Sequence, residues 1–533
     1  MESRSLRLSV ILLASLLVAG MLLLAACGGA SKKTAAPATT QATGSTATSA
    51  ALTPKYGGTL RIAALSIGAN IGWPATLQGG GDLVQSYYET LLRSDAKGNL
   101  YPWLASSYKV AADKKSISFT IRKGVKFTDG SDLTAAVVKW NLEQFVNQEP
   151  SWTSIQVVDP NTVQVNFKSW DNSLPASFGD SEPSLYMVSQ AAYEKHGQAW
   201  ITTHPVGTGA FKVASFAMDA SMKLLKNPNY WATDATGSKL PYLDEIDYTF
   251  TADPATKLMM AKSGEVDMVA AIFPGEELLD YKNLGWRANS RYDANEVWVP
   301  DSAHANSPWS KLEVREAAEC AIDRATIAKE FGYGYLEAPN QIPPRDTTAY
   351  QANYDLGRTY DPAKAKQLLA QAGYPKGFKT SIIVWPEGNK DIAVAEQQYL
   401  AAVGIKADVE FADAGKWNSY TGPQGHYQNA LLEAPDSAQG PTGLGCVTFA
   451  MFLFGNNWQK PPELMQALGA ATSAPAPDVS LIRATTDVMT KNALMIPLYE
   501  IGGARAEEPY VIADYGTRGL AAYSSLETAW LNK

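Results

Sequence analysis

The stretch Phe119-Thr-Ile-Arg-Lys-Gly-Val-Lys-Phe-Thr-Asp-Gly130 leads from a strand through turns toward a helix. Apolar residues alternate at Ile117, Phe119 and Ile121, and this alternation predicts a half-buried strand. The glycines that follow favour turns, and an apolar face that starts near Leu133 predicts the next helix. The stretch therefore predicts one strand–turn–helix unit of an α/β protein.

The same alternation of helices and strands continues in the second half of the chain. The sequence predicts a helix over residues 254–263 and a buried strand over 267–272, then a helix over 389–403 and a strand over 405–411. This order favours an α/β lobe. Because the chain has 533 residues and single cores stop growing near roughly 250–300 residues, we expect more than one lobe.

Composition excludes some functions and leaves the cysteine chemistry open. The net charge of −8 argues against a nucleic-acid partner, which requires a basic surface. Besides Cys27, the cysteines are Cys320 and Cys446. Cys320 lies among the apolar positions of a helix, which favours a buried free thiol. A disulfide between Cys320 and Cys446 in an oxidising compartment remains an alternative.

The amino terminus carries a targeting signal. Two arginines precede a long uncharged apolar run, a pattern typical of a signal peptide over residues 1–26. The run ends in Leu24-Ala-Ala-Cys27, which resembles a bacterial lipobox, where the cysteine becomes the lipidated first residue of the mature chain. The alternative is a transmembrane helix, since about 20 apolar residues span a bilayer.

Residues 27–54 consist of Gly, Ala, Ser, Thr and Pro with a pair of lysines and no aromatic residue. This composition predicts a flexible tether. Together with a lipid on Cys27, it predicts an extracytoplasmic protein that is anchored to the cell membrane.

The sequence contains no recognisable catalytic motif. The four histidines do not form an H-E-x-x-H motif, and the sequence contains no G-x-S-x-G elbow and no phosphate-binding P-loop. No Cys/His cluster has the spacing of a metal site. We therefore predict no catalytic residue, no metal and no cofactor. An extracytoplasmic hydrolase acting on peptides or glycans remains the alternative of a different class.

Several short motifs together point to a family. In chain order they are Gly57-Gly-Thr-Leu-Arg, Tyr88-Glu-Thr-Leu-Leu, residues 119–130, Pro205-Val-Gly-Thr-Gly-Ala-Phe-Lys212, Asn227-Pro-Asn-Tyr-Trp231, Gly264-Glu-Val-Asp267, Val314-Arg-Glu-Ala317, Ala321-Ile-Asp-Arg324 and Tyr360-Asp-Pro-Ala-Lys-Ala-Lys-Gln-Leu-Leu369. Together these motifs resemble the extracellular solute-binding proteins of the oligopeptide and dipeptide class, which supply ATP-driven ABC importers. The resemblance extends over roughly residues 56–515.

The resemblance implies a two-lobed α/β fold like that of periplasmic binding proteins (type II, cluster C), with an extra subdomain in the first lobe. It also implies a monomer that closes around a ligand and docks on ABC permease subunits. The expected divisions are 1–26 signal peptide, 27–54 tether, 55–95 first lobe, 96–204 extra subdomain, 205–298 first lobe, 299–488 second lobe and 489–533 return to the first lobe.

Four tryptophans are candidates for the walls of a ligand cleft. Trp73 follows the first predicted strand, where the resembled family has an edge of its cleft. Trp385 and Trp417 lie in loops at strand ends, where ligands of α/β sheets bind. Trp298 lies near an expected crossing between the lobes. The alternative for each is structural packing, since large aromatic residues dominate cores.

Asp436 is the candidate anchor for a charged ligand. Peptide binders of the resembled family use an aspartate in this region to pair with the amino terminus of the ligand, a charge-assisted contact. The stretch Glu433–Gly445 that contains it predicts a loop, so an exposed loop aspartate is the alternative. The resemblance also leaves oligosaccharides, opines and chelated nickel open as ligands.

Overall fold

The computed structural model describes residues 52–77, 81–95, 99–145, 151–180, 185–292, 294–386, 388–422, 424–438, 440, 442–513 and 526–533. The predicted signal peptide, Cys27 and nearly all of the predicted tether lie outside the described residues.

Helices and strands alternate along much of the described chain, as expected for an α/β protein. The helices of four or more residues are α1 Gly81–Gln85, α2 Ala135–Glu143, α3 Leu174–Ser177, α4 Gln190–His196, α5 Gln198–Ile201, α6 Pro254–Ser263, α7 Glu276–Asn283, α8 Leu312–Ala321, α9 Arg324–Gly332, α10 Pro362–Gln371, α11 Lys390–Val403, α12 Ala414–Tyr420, α13 Gly445–Phe454, α14 Pro462–Ser473 and α15 Val479–Lys491. The strands are β1 Thr59–Ala64, β2 Leu92–Ser94, β3 Leu100–Pro102, β4 Ala105–Val110, β5 Ser116–Ile121, β6 Trp152–Asp159, β7 Thr162–Phe167, β8 Phe211–Ala217, β9 Ser221–Lys226, β10 Glu245–Phe250, β11 Met268–Ile272, β12 Arg287–Ser290, β13 Ala294–Pro300, β14 Phe378–Val384, β15 Ile405–Phe411, β16 Ala430–Ser437, β17 Ile496–Ile501, β18 Ala504–Glu507, β19 Val511–Ile512 and β20 Trp530–Leu531.

The first lobe is built on a seven-stranded sheet with the order β12-β18-β11-β1-β10-β9-β8. Its central strand β1 pairs in parallel with β10 and β11. Leu60 and Ile62 of β1 pack into the core on one face, and Ala63 packs into the core on the other. Because successive side chains of a strand point to opposite faces, this sheet is covered on both sides.

The second lobe is built on a five-stranded sheet with the order β15-β14-β16-β13-β17. β14 pairs in parallel with β15 and β16, whereas β13 is antiparallel to β16 and β17. Trp298 packs into the core on one face, and Val297 and Val299 pack into the core on the other. This alternation determines which buried polar side chains of β13 share a face with those of its neighbours.

A smaller antiparallel sheet, with the order β4-β5-β7-β6, forms the subdomain of the first lobe. Its core contains Phe119, Val163 and Phe178. Trp103 and Trp231 pack against this core and also against the core of the first lobe. The predicted strand within residues 119–130 thus lies in this subdomain, as β5.

Among the described residues the chain passes between the two large sheets twice. The first crossing lies between β12 and β13, and the second lies between β17 and β18. The divisions expected from the sequence, 298/299 and 488/489, fall inside β13 and α15. Strand pairing assigns β13 and β17 to the second lobe, and pairing between distant segments is not visible in a single sequence.

Local capping explains helix ends that the sequence predicts. The Asp253 side chain accepts the Thr256 N–H at the start of α6, and Gly264 ends that helix with φ 70°. The Asn389 side chain caps α11, and Gly404 ends it with φ 104°. Side-chain caps pair free N–H groups, and glycine adopts the left-handed conformation without strain. The predicted helices at 254–263 and 389–403 are confirmed.

A buried charged network attaches the carboxyl-terminal segment to the first lobe. Arg93 of β2 donates to both carboxylate oxygens of Glu527, at 2.6 and 3.0 Å. Its guanidinium lies 3.5 Å from the centre of the Trp103 ring and 3.9 Å from the Glu89 carboxylate. The Tyr230 hydroxyl contacts Glu89 and Glu527, each at 3.0 Å. The guanidinium also lies 3.9 Å from the Asp180 carboxylate, so one buried cation serves three buried carboxylates.

Candidate functional site

Asp436 lies in a strand and is buried. β16 runs from Ala430 to Ser437, and Asp436 is 1% exposed. The prediction of a loop beginning at residue 433 is therefore wrong, and so is the alternative of an exposed loop aspartate. The reason is tertiary, because pairing with β13 continues through Pro435 and Asp436 to the end of β16.

Asp436 is one of three polar side chains in a row across the second sheet. It stands opposite Asn295 of β13, and Asn295 stands opposite Glu500 of β17. Directly opposed residues of antiparallel strands present their side chains on the same face. All three residues are at most 2% exposed. We call Asp436, Asn295 and Glu500 the acceptor row.

Four oxygen atoms of the acceptor row have no hydrogen-bond partner in the described structure. They are both carboxylate oxygens of Asp436, Oδ1 of Asn295 and Oε2 of Glu500. A buried polar atom without a partner costs about 1–3 kcal/mol. In the ionised carboxylates and the amide these atoms accept hydrogen bonds, so a group that pairs with them there must supply donors. A protonated amine suits the row because it carries several N–H donors and a positive charge.

Neighbouring groups orient the acceptor row. The Asn295 side-chain amide donates to the carbonyl oxygen of Ile342 at 2.7 Å, which leaves its own oxygen for the row. The Cys446 thiol lies beside Asp436 but does not form a hydrogen bond of good geometry with it. Burial raises the pKa of Asp436 well above its usual range, and the thiol offsets this only in part. Cys320 and Cys446 are buried free thiols, so the alternative of a disulfide between them is wrong.

Glu500 differs from Asp436 in having a cationic neighbour. The backbone N–H of Arg345 donates to Glu500 Oε1 at 3.2 Å, and the Arg345 guanidinium lies 3.5 Å from Oε2. Burial raises the pKa of Glu500 to about 7, although Arg345 counteracts the increase. Asp436 is thus the member of the row whose charge is least compensated.

Three further carboxyl groups meet on the opposite face of the same sheet. Glu296 of β13, Glu433 of β16 and Glu396 of α11 are each at most 1% exposed. We call them the glutamate cluster. Burial, and then the charge of Glu433, raise the pKa values of Glu296 and Glu396 well above the usual range. Burial raises the pKa of Glu433 to about 7, partly offset by Glu396 and the Trp298 indole.

The glutamate cluster predicts that stability decreases as pH rises. Glu433 has a pKa of about 7 in the folded protein against 4.5 ordinarily, so the folded state keeps a proton that the unfolded chain releases. Its contribution is complete below about pH 4.5 and is lost as pH rises through 7. The wild type should lose about 3 kcal/mol of its free energy of unfolding as pH rises, at roughly 1.4 kcal/mol per pKa unit. The Glu433→Gln variant should lack this loss.

The measurement is the free energy of unfolding of wild type and Glu433→Gln in denaturant between pH 4 and pH 8. We expect the free energy of unfolding of the variant to increase relative to that of wild type as pH rises. Glu463→Gln is the control, because Glu463 is exposed on α14. Parallel pH profiles for wild type and Glu433→Gln would contradict the assignment.

The structure distributes the four candidate tryptophans over three cores. Trp298 is fully buried beside Glu396 and Glu433, and Trp385 packs near Glu296. Trp73 stacks on Tyr193 with ring centres 5.2 Å apart in the core of the first lobe. Trp417 packs against the core on the acceptor-row face of the second lobe. Their roles as cleft residues stay predictions.

Sequence reasoning missed Asn295, Glu500 and the glutamate cluster. A signal for them exists, because β13, β16 and β17 each carry glutamate within a largely apolar segment. Ionised side chains are almost never fully buried without a purpose or a partner. The face on which each acid lies depends on strand register, however, and register requires the folded chain.

The two lobes touch at the end of α14. Asn172, in the subdomain of the first lobe, donates from its backbone to Thr472 O at 2.9 Å and from its side chain to Ala471 O at 2.6 Å. The Trp170 indole donates to Ala474 O at 3.2 Å. The last carbonyl groups of a helix have no partner within it. The first lobe therefore caps a helix of the second.

Among the described residues, no group of three or more His, Cys, Asp or Glu side chains is arranged to hold a metal ion. None of the described helices combines the length and the apolar character needed to cross a bilayer.

Two α/β lobes, with two crossings between them in the described part of the chain, define the fold of a type II solute-binding protein. More specifically, the chain belongs to family 5 of the bacterial extracellular solute-binding proteins, because the model of that family's middle region matches residues 99–439.

Comparisons with individual proteins agree with this assignment. The chain is 30% identical over 447 residues to the glutathione-binding protein GsiB of Shigella dysenteriae serotype 1, covering 78% of this chain and 83% of that protein. It resembles Helicobacter pylori DppA in complex with the peptide STSA, with TM-score 0.73, 20% identity and coverage of 90% and 99% of the two chains. It also resembles AgaA of A. tumefaciens R10 in complex with agropinic acid, with TM-score 0.74, 22% identity and coverage of 89% and 99%.

Proposed function

We propose that this protein captures a small ligand with a protonated amino group, peptide-like in character, and delivers it to the permease subunits of an ABC transporter. The observation that carries the proposal is the acceptor row, in which four buried oxygens have no hydrogen-bond partner among the described residues. Asp436 supplies the negative charge, and Asn295 supplies a neutral acceptor beside it. Ammonium groups satisfy both requirements.

The relatives support a ligand of this kind. GsiB is named a glutathione-binding protein, and the DppA structure contains the peptide STSA. A free peptide has a protonated amino terminus at neutral pH, since the pKa of that group is about 8. The matching of ligand and site thus rests on charge and on the number of donors.

We propose that binding works by closure of the two lobes about the crossings that include residues 291–292 and 502–503. The bonds from Trp170 and Asn172 to the end of α14 support closure, because they form only when the lobes meet. A ligand that contacts both lobes favours the closed state by the free energy of the contacts that exist only there.

The location completes the proposal. A lipid on Cys27 would anchor the mature protein to the cell membrane. The folded lobes would then lie in the periplasm or at the outer face of the cytoplasmic membrane. The composition of residues 28–54 predicts a flexible chain that would extend on the order of 30 Å and keep the binding lobes near a transporter. We propose a monomer that carries out no covalent chemistry on its ligand.

The test is thermal unfolding of the purified protein with dipeptides and with the same dipeptides acetylated at the amino terminus. Acetylation removes the charge and leaves the remainder of the ligand unchanged. A ligand at 100 times its Kd stabilises the folded state by about 2.7 kcal/mol. We expect stabilisation by the free dipeptides and little by the acetylated ones.

Oligosaccharides and nickel–histidine chelates belong in the same panel as alternatives. Stabilisation by these ligands alone, or equal stabilisation by free and acetylated dipeptides, would argue against an ammonium site. Mass spectrometry of the dipeptide after overnight incubation tests the hydrolase alternative. Intact dipeptide is the expected result, and cleavage products would overturn the proposal of binding without catalysis.

A further inference from the structure

Two of the four histidines in the chain meet at the far end of the second sheet. His304 follows β13, and His426 precedes β16. Their ring centres are 5.6 Å apart, with an angle of 69° between the ring planes. His426 is exposed, and the His304 side chain is 35% exposed, so both rings are accessible from solution.

A buried carboxylate orients His304. Asp301 is 0% exposed, and its Oδ1 accepts a hydrogen bond from His304 Nδ1. Its other oxygen accepts the Asn429 N–H at 2.6 Å, so the carboxylate is held from both sides. With the proton of His304 on Nδ1, the lone pair lies on Nε2. Histidine ligands of metal ions have this arrangement, in which a carboxylate fixes the tautomer and the ring orientation.

We propose that His304 and His426 bind a divalent transition-metal ion such as Cu²⁺, Ni²⁺ or Zn²⁺, with Asp301 as the residue that positions His304. Imidazole nitrogen is a preferred donor for these ions. Two imidazoles bound at about 2.1 Å with a near-tetrahedral angle have ring centres roughly 5 Å apart. The observed ring-centre separation of 5.6 Å is close to this value.

The site supplies two protein ligands, since no group of three ligating side chains occurs among the described residues. Water or a small chelating molecule completes the coordination. The proposed metal site is separate from the acceptor row, because His426 lies before the start of β16 and Asp436 lies near the end of that strand. Six residues of strand between Ala430 and Asp436 correspond to on the order of 20 Å.

Metal titration of the full mature chain without an affinity tag tests the proposal. Isothermal titration calorimetry with CuCl₂, NiCl₂ and ZnCl₂ should show one ion per chain for at least one of the three metals. The Cu²⁺ form should show hyperfine coupling to two nitrogens in its electron paramagnetic resonance spectrum. We expect His426→Ala to lower the affinity at least tenfold and to remove one of the two couplings.

The chain contains a matched control. His204 is exposed, but its ring stacks on Trp200 at 4.5 Å, and His196 stacks on Trp200 at 4.2 Å. A tryptophan between the two rings prevents chelation, so His204→Ala should bind metal as wild type does. Asp301→Asn should keep both nitrogen couplings and weaken the affinity less than His426→Ala.

Two results would overturn the inference. One is wild-type affinity in His426→Ala, and the other is an equal loss of affinity in His426→Ala and His204→Ala. Circular dichroism of each variant separates loss of the site from loss of the fold. Because the readout is metal affinity, failure here leaves the dipeptide experiment unaffected.

Discussion

Asp436→Asn is expected to lower the affinity for a dipeptide with a free amino terminus by roughly 100-fold, or about 3 kcal/mol. Asparagine has nearly the same shape as aspartate but no charge. The ammonium of the ligand would then be buried beside a neutral amide, and an unpaired buried charge is costly. Calorimetric titration of wild type and variant with the same dipeptide measures the effect.

A thermodynamic cycle makes this prediction specific. For the dipeptide acetylated at its amino terminus, we expect wild type and Asp436→Asn to bind with similar, weak affinity. Glu433→Gln is a matched control, because Glu433 lies three residues earlier on the same strand but on the opposite face. If Glu433→Gln weakened binding as strongly as Asp436→Asn, the acceptor row would not be the ammonium site.

The pH dependence of binding has a defined direction. Burial raises the pKa of Asp436 well above its usual range, so protons compete with the ligand for this carboxylate. An ammonium group binds the ionised form. Affinity should therefore decrease as pH falls through the raised pKa, and the Asp436→Asn variant should lack this component of the decrease.

Arg93→Met is expected to destabilise the folded protein by about 3–5 kcal/mol. The substitution keeps an unbranched side chain under the Trp103 ring but removes the guanidinium that donates to Glu527 at 2.6 and 3.0 Å. Glu89, Asp180 and Glu527 would stay buried without this guanidinium. Breaking a buried ion pair by removing one partner is costly because the remaining charge has no compensation.

Chemical denaturation of wild type and variant measures this effect. Lys126→Met is the control, since Lys126 and Asp132 form an ion pair at 2.6 Å with both side chains exposed. Exposed pairs contribute about 0–1 kcal/mol. Adding Glu527→Gln to Arg93→Met should recover part of the loss of stability by removing one of the buried negative charges. Equal effects of Arg93→Met and Lys126→Met would contradict the role of the buried network.

The predictions that rest on local sequence agree with the structure. The helices at 254–263 and 389–403 are confirmed because their caps, Asp253 with Gly264 and Asn389 with Gly404, are encoded within a few residues of each end. The strand at 405–411 is also confirmed. Capping and periodicity act over short distances along the chain, so one segment contains the whole signal.

The loop predicted for residues 433–445 shows where local reasoning fails. Pro435 and the Gly/Pro-rich residues beyond it favour a loop when the segment is taken alone. In the folded chain β13 pairs with residues 431–437 of β16, and β14 pairs with residues 430–433. Hydrogen bonds to neighbouring strands outweigh the local preference, and Asp436 becomes a buried strand residue.

The sequence by itself determined the α/β class, the family and the identity of Asp436 as the acid to examine, because periodicity, caps and motif order are properties of contiguous residues. Only the tertiary structure decided that Asp436, Asn295 and Glu500 form one row while Glu296, Glu396 and Glu433 gather on the other face. These residues come from segments far apart in the chain. A shift of one residue in strand register would exchange the two faces, so their grouping is set by strand pairing and not by the sequence of any one strand.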